Sequence, residues 1–246
     1  MNPPCQFLEW DSAFFGYRIA RVNGSRLTPE SMGAIEAWCA ERRIDCLYFL
    51  SASDDLTTTS LAERHHFHMV DIRVTLSASL KPETHEQKTY QGIRLNEPDD
   101  LPALKRIARE SFVHTRFYND LNFPRERCAE MYEVWIEKSG ADSGQAVLVA
   151  TADGAPAGFV TCSRAADGIG QIGLFGVDSA YRGRGLGHQL IEAALAWFAR
   201  HDFQNVVVVT QGRNLSAQRS YQRQGFVTQS LEVWYHRWFT KPTHPV

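Results

Sequence analysis

The stretch Gln171–Gly187, QIGLFGVDSAYRGRGLG, decides the reading of this chain. It runs into His188–Arg200, where Leu190, Ile191, Ala194, Leu195 and Phe198 share one face at helical spacing. A strand, a glycine-rich turn and an amphipathic helix therefore follow one another. A helix start leaves about four backbone N–H groups without intrahelical partners and carries the positive end of the dipole, and glycines let that backbone close on an anion. Arg182-Gly183-Arg184-Gly185-Leu186-Gly187 adds two guanidinium groups, so the expected ligand is a polyanion. Within this turn neither G-x-x-x-x-G-K-S/T nor G-x-G-x-x-G is matched; R-x-x-G-x-G is.

The rest of the composition narrows the class. At 246 residues, 43% hydrophobic and 22% charged, the chain can bury a sizeable core as one large domain or two small ones. A formal net charge of −2 gives no global basic field for nucleic acid. No apolar run approaches membrane-spanning length, and Met1-Asn2-Pro3-Pro4 does not open a signal peptide, which together predict a cytoplasmic protein without membrane insertion. Cys5, Cys39, Cys46, Cys128 and Cys162 are odd in number and widely spaced, and read as buried free thiols. His65, His66 and His68 cluster, yet H-H-x-H on a short turn reads as a solvated helix end, and no metal is expected.

Taken in order, residues 1–80 form a first unit. Phe7–Trp10 and Phe14–Val22 are apolar and aromatic, Thr28-Pro29 starts a helix continued by Met32, Ile35, Trp38 and Cys39, and Cys46–Leu50 is a short buried strand. A helix over 54–66 and a long strand over 67–80 follow. Residues 81–90, KPETHEQKTY, are polar and aperiodic and read as a linker. The second unit, 91–240, opens with a strand over 92–95 and an acidic helix start at Glu97-Pro98-Asp99-Asp100; this helix should fail near His114. Thr115–Phe123 reads as an aromatic loop, Pro124 as the start of a helix to Lys138. Strands over 145–151, 157–163 and 169–177 are joined by hairpin turns Asp153-Gly154 and Asp167-Gly168. After the glycine-rich turn and its helix come a strand over 206–210, a helix over 215–224 closed by Gly225, and a strand over 226–238. The strand-helix-strand order of the first unit recurs at the end of the chain, which points to an internal duplication in which Ala62 falls opposite Tyr221 and the first unit lacks a glycine-rich turn.

This order, together with Phe175-Gly176-Val177 before the turn, R-x-x-G-x-G at Arg182–Gly187, and Asn214 followed seven residues later by Tyr221, resembles the GCN5-related N-acetyltransferase (GNAT) family. The resemblance implies a mixed α/β fold, with a degenerate GNAT-like half at residues 1–80, and acetyl-CoA as co-substrate. Ala13-Phe14-Phe15-Gly16, Thr115-Arg116-Phe117, Thr210–Asn214 and Arg219-Ser220-Tyr221 are similar to the branch of that family that acetylates dTDP-linked 4-amino-4,6-dideoxygalactose (dTDP-fucosamine) for enterobacterial surface glycans, lipopolysaccharide or common antigen.

Acetyl transfer from a thioester to an amine needs a held donor, an aligned uncharged amine, a stabilised oxyanion and a proton for the leaving thiolate. The resemblance implies that Arg182, Gly183, Arg184, Gly185, Leu186 and Gly187 hold the pyrophosphate, and that the pantetheine arm pairs along Phe175, Gly176 and Val177 with a backbone N–H near Val177 as oxyanion donor. Asn214 fits either a pantetheine contact or the cap of its own helix. By spacing alone Tyr221 fits a core aromatic as well as a general acid; the resemblance assigns it the proton, since a phenol near ~10 stays protonated at neutral pH yet can protonate a thiolate near ~8.5. No general base is assigned. For a nucleotide-sugar acceptor, Arg116 suits phosphate and Phe117, Tyr118, Phe14 or Phe15 suit stacking; Phe14 and Phe15 also suit the core, and Tyr118 the cap of a loop. Another amine acceptor, such as a different amino sugar, a polyamine or a protein N-terminus, and an acyl-CoA sensor without turnover both stay open. The strand over 226–238, apolar on both faces toward its end, suggests a partner surface and a homodimer.

Overall fold

The computed structural model describes residues 3–80, 90–165 and 167–240. The chain forms β1 (Cys5–Phe7), α1 (Glu9–Phe15), β2 (Ile19–Val22), α2 (Pro29–Glu41), β3 (Cys46–Ala52), α3 (Leu56–Arg64) and β4 (His68–Ser79). It continues through β5 (Ile93–Leu95), α4 (Leu101–Ser111), α5 (Arg116–Asn119), α6 (Arg125–Ala141), β6 (Gln145–Ala152), β7 (Ala155–Arg164) and β8 (Gly170–Val177). It ends with α7 (Leu186–Arg200), β9 (Asn205–Gln211), α8 (Leu215–Arg223) and β10 (Val227–Trp238). The expected linker falls, apart from Tyr90, outside the described residues.

Local chemistry explains most of these boundaries. Thr28 and Ser31 form a reciprocal capping box with Pro29 at the first helical position, and Asp55 caps α3 by accepting from Thr57 and Thr58 N–H. Asp153 and Gly154 both have positive φ, 51° and 79°, as a two-residue hairpin between β6 and β7 requires. Two expectations are corrected. Thr115–Phe123 is not wholly loop, because Arg116–Asn119 closes one helical turn. The acidic stretch Pro98–Asp100 makes a 3₁₀ turn, and the α-helix begins only at Leu101.

One mixed ten-stranded sheet holds all the strands in the order β1-β2-β3-β10-β4-β9-β8-β7-β6-β5. Read outward from its centre, the order is the same on both sides: β2 is parallel to β3 and β3 antiparallel to β10, while β8 is parallel to β9 and β9 antiparallel to β4. β10 is thus paired with β3, and β4 with β9, so that the early and late strands interleave at the centre of one sheet. This placement corrects the reading of β10 as a partner surface. β10 is bonded on both edges, and Tyr235 and His236 are buried, so the end of its apolar run is that of a central strand, while Leu231 stays exposed.

Three apolar clusters pack on this sheet. Leu190, Ile191, Ala194, Leu195 and Phe198 of α7 cover one face against Val160, Ile172, Val206 and Val208. On the other, Leu104, Ile107 and Ala108 of α4 join Met131, Tyr132 and Ile136 of α6, with Phe15, Phe117, Phe123 and Phe159. Met32, Ile35 and Cys39 of α2 pack with Leu47, Phe49 and Leu61 on the first unit. All five cysteines are buried free thiols. Among the described residues no helix is long and apolar enough to cross a membrane.

Candidate active site

The site begins with a break in the sheet. β8 and β9 pair only over Gly170–Ile172 and Val206–Val208, although β8 runs to Val177 and β9 to Gln211. Their cause of divergence lies on the other edge of β8. The β7–β8 register shifts between Val160 and Cys162, so Gly173 and Leu174 together oppose Thr161. The Thr161 hydroxyl accepts the Leu174 N–H at 2.8 Å, and a Cβ on Gly173 would stand 2.6 Å from that oxygen. Glycine and threonine are both needed for this bulge. Beyond it, Asp178 N–H bonds Ala157 carbonyl, and Gly158 opposes Val177. The antiparallel alternation then turns the Phe175 and Val177 N–H groups away from β7, into the gap left by β9.

That gap is a cleft of about 740 Å³ which passes through the sheet. At one end it is lined by Arg182, Gly183, Gly185, Leu186, Gly187 and His188, in its middle by Phe175, Val177, Gln211, Asn214 and Tyr221. At the other end it meets Glu110–Thr115, Tyr132 and Trp135 of α4, α6 and the segment between α4 and α5.

The first end is an anion cradle. Gly183 and Gly185 have φ of 77° and 84°, a conformation that strains any L side chain. Gly185 is the N-cap of α7 and offers no side-chain acceptor, so the first-turn N–H groups of α7 face the cleft without a cap. The Arg182 Nε donates to Val177 carbonyl at 3.1 Å, fixing its guanidinium across the loop. Asp178 pins the same turn: its Oδ1 accepts Ala180 N–H and its Oδ2 pairs Arg106 at 2.7 Å, and these bonds hold its carboxyl below the usual range. Arg184 lies over the Tyr181 ring and not on the cleft wall, and Gly176 directs its backbone at β7 with its Cα face against Ser111.

Tyr221 is 3% exposed on α8, between Phe175 and Phe226 with ring centroids at 6.0 and 5.6 Å. Burial alone pushes its phenol well above the usual value, so it stays protonated. Asn214 caps α8 through Oδ1, which accepts Ala217 N–H at 3.1 Å, and it also lines the cleft. Both readings of this residue are thereby compatible.

The expected acceptor residues lie elsewhere. Phe15 and Phe117 are buried in the core, stacked on one another at 5.5 Å, and Tyr118 packs against the same cluster. Arg116 stands over the rings of Tyr48, Phe117 and Trp234 at 4.2–4.3 Å, with its Nη1 at 3.0 Å from His236 Nε2. None of these four residues lines the cleft. The end of the cleft away from the cradle is built instead by an offset pair, Phe112 and Tyr132 at 4.5 Å and 14°, with Trp135 beside it. The Ser111 hydroxyl oxygen is buried there without a hydrogen-bond partner, and the buried Thr115 hydroxyl lies beside the Tyr132 phenol. Sequence reasoning missed this end, because α4 and α6 show only the periodicity of packing helices; it also passed over Arg223, in the last turn of α8, which adds a cation to the cleft and belongs to no motif. His65, from the histidine cluster, bonds Glu36 at 3.0 Å.

Comparison with known proteins agrees with this geometry. Residues 104–226, half of the chain, match the Acetyltransferase (GNAT) family. The chain is 26% identical to the dTDP-fucosamine acetyltransferase of Escherichia coli O6:H1 over 94% of its length and 96% of that protein. It is also 26% identical to the spore coat polysaccharide biosynthesis protein SpsD of Bacillus subtilis, over 58% of this chain and 49% of that one. Among solved structures, a conserved Staphylococcus epidermidis protein of unknown function superposes with a TM-score of 0.68 at 17% identity, covering 96% of this chain and 92% of that one. A GCN5-related N-acetyltransferase from Sphaerobacter thermophilus does so with 0.65 at 18%, covering 95% and 76%. With the bulge, the cradle and the match over its second unit taken together, this chain belongs to the GNAT family and is an acyl-CoA-dependent N-acetyltransferase.

Proposed function

We propose that the chain moves acetyl from acetyl-CoA to the 4-amino group of a nucleotide-linked 4-amino-4,6-dideoxy sugar by direct attack. The observation that carries the proposal is the cleft that passes through the sheet, with an anion cradle on one face and an aromatic, hydroxyl-lined end on the other. A flat pair of rings with Trp135 beside it suits the apolar face of a hexose, and the unpartnered Ser111 hydroxyl suits its polar edge. Among the described residues Glu110 is the one carboxylate lining that end, short of the dense negative charge that a polyamine would call for. The full-length similarity to a dTDP-fucosamine acetyltransferase supports the same substrate class.

The residues then divide the work. The α7 N-terminus, with Arg182 and Arg223, binds the pyrophosphate of the donor. The unpaired edge of β8 at Phe175 and Val177 accepts the pantetheine as an added strand, and the Val177 N–H faces the carbonyl oxygen as charge develops. The neutral amine forms the new C–N bond as the C–S bond breaks, Tyr221 gives its proton to the leaving thiolate, and the proton shed by the acylated nitrogen passes through solvent to restore the phenol. Holding both reactants in one cleft supplies the alignment.

The test is coenzyme A release from acetyl-CoA with dTDP-4-amino-4,6-dideoxygalactose, its 4-epimer and a polyamine as acceptors. Turnover selective for the nucleotide amino sugars is expected. Intact acetyl-CoA binding with turnover only on the polyamine would overturn the substrate class.

A further inference from the structure

We infer that Arg213 binds the phosphate of the acceptor, and that it, in place of Arg116, sets the preference for a nucleotide-linked sugar over a free one. This inference rests on the substrate class proposed above. Arg213 lies in the turn Gly212–Asn214 between β9 and α8, flanked by the cleft-lining residues Gln211 and Asn214. Its Nη1 donates to Asn119 Oδ1 at 3.3 Å, and Asn119 Nδ2 donates to Val70 carbonyl at 2.9 Å. Asn119 ends α5, the turn that starts next to Thr115 of the cleft wall. Arg213 is itself not on the cleft wall; its exposed guanidinium lies beside the cleft, tied through Asn119 to the turn that starts next to Thr115.

Its backbone is fixed from both sides. The Gly212 N–H donates to Ile72 carbonyl at 2.7 Å, and a Cβ at Gly212 would stand 2.8 Å from the Ile72 Cβ, so this turn is pressed onto β4 of the first unit. On the other side Asn214 is held as the cap of α8. An arginine so placed loses little backbone freedom on binding.

The neighbouring cations are already committed. Arg106 pairs Asp178, Arg109 pairs Glu126 and Glu133, and Arg116 is enclosed by three rings and His236. Arg213 is exposed, and among the described residues its hydrogen bond is to a neutral amide and it forms no ion pair. The carboxylate whose charge reaches it is that of Asp71, which is buried and bonded to Ile72 N–H at 2.8 Å. An independent observation calls for a ligand at the same end: the Ser111 hydroxyl is buried and unpartnered on the cleft wall, while Thr115, 4% exposed, has its hydroxyl beside the Tyr132 phenol. A wall hydroxyl inside and a cation beside the cleft fit a glycosyl phosphate, with the phosphate outward and the sugar against Phe112 and Tyr132.

The experiment compares wild type, Arg213→Ala and Arg213→Lys on two acceptors, dTDP-4-amino-4,6-dideoxygalactose and the methyl glycoside of the same amino sugar. In Arg213→Ala, KM for the nucleotide-linked acceptor is expected to rise about tenfold or more, a change of about 1.4 kcal/mol per decade, with KM for acetyl-CoA unchanged. The wild-type preference for the nucleotide-linked acceptor shrinks by the same factor, and Arg213→Lys recovers part of it. A wild type that prefers the nucleotide-linked acceptor, with Arg213→Ala showing the same preference, overturns the role of Arg213 alone. A wild type that acetylates the methyl glycoside as well as the nucleotide-linked sugar, or neither, overturns the substrate class and this inference with it.

Discussion

The Leu174 N–H donates to the Thr161 hydroxyl at 2.8 Å, at the point where β7 and β8 lose register. This bond replaces a ladder bond that the bulge removes, so the divergence of β8 from β9 costs no orphaned donor. Thr161 is 3% exposed, and Thr161→Val keeps its shape while deleting the acceptor. The variant is expected to lose about 1–3 kcal/mol of stability in urea unfolding and to bind acetyl-CoA more weakly, because the strand edge that receives it shifts. Thr161→Ser should retain both, and equal stability of the valine and serine variants would remove the hydroxyl from this account.

Tyr221→Phe tests the proton donor. The phenol is buried with no cause of shift other than burial, which raises it, so the acid form persists up to and beyond the ordinary tyrosine range near ~10. The acid is therefore fully protonated through the whole neutral and mildly alkaline range. The phenylalanine variant is expected to lose about 10²-fold or more in kcat while its KM for acetyl-CoA stays close to wild type. Unchanged turnover would mean that another group or a water protonates the thiolate.

Gly212 tests the contact between the units. The Ile72 Cβ would lie 2.8 Å from a new Cβ at this position, and Ile72 is a branched residue on a strand, not the tip of a flexible chain. Gly212→Ala should therefore displace the turn, with about 1–3 kcal/mol of destabilisation by overpacking. An alanine variant as stable as wild type would show that β4 yields at this point.

How much of this was legible in the sequence follows from the kind of signal each residue carries. Gly183, Gly185 and the apolar face of α7 sit within one short stretch, and their pattern states both the turn and the helix. The exchange of β4 and β10 across the sheet centre is a matter of long-range pairing, and no local pattern encodes which strand β10 joins. Its apolar end signalled burial on both faces, which a central strand and a partner surface share. Arg116 illustrates the same limit at the site. An arginine beside aromatics reads as a ligand contact, yet its rings, Tyr48 and Trp234, arrive from strands 68 and 118 residues away along the chain. Thr161 and Gly173 lie within ordinary strand patterns, and only the register shift reveals their role.

Arg116 itself yields an expectation of structural character. Arg116→Ala leaves His236 Nε2 without its donor and removes a cation from three ring faces. It should cost about 2–4 kcal/mol, visible as a lower urea midpoint, before it changes KM for either substrate. A variant of full stability with a raised acceptor KM would return Arg116 to the role of phosphate contact.

His236 supplies the pH dependence. Its Nδ1 lies 2.7 Å from Asp120 Oδ2 and its Nε2 faces Arg116, which can only donate, so the ring is held neutral with its proton on Nδ1. Trp238 Nε1 also donates to Asp120 Oδ2, at 2.8 Å. Burial and the Arg116 charge oppose the protonated ring more strongly than Asp120 favours it, and its pKa falls from 6.5 to about 4. The folded state thus binds fewer protons than the unfolded chain between these values. The stability it contributes is fully present above pH 6.5 and is lost as pH falls from 6.5 toward 4. Asp71, raised by burial to about 6, acts in the opposite sense, since its contribution is lost as pH rises through that value. A bare stability profile therefore mixes the two, and the informative quantity is the difference between wild type and His236→Asn, measured by urea unfolding from pH 4 to 7.5. That difference is expected to shrink as the solution is acidified. A constant difference across the range would mean that the imidazole keeps an ordinary pKa in the folded chain.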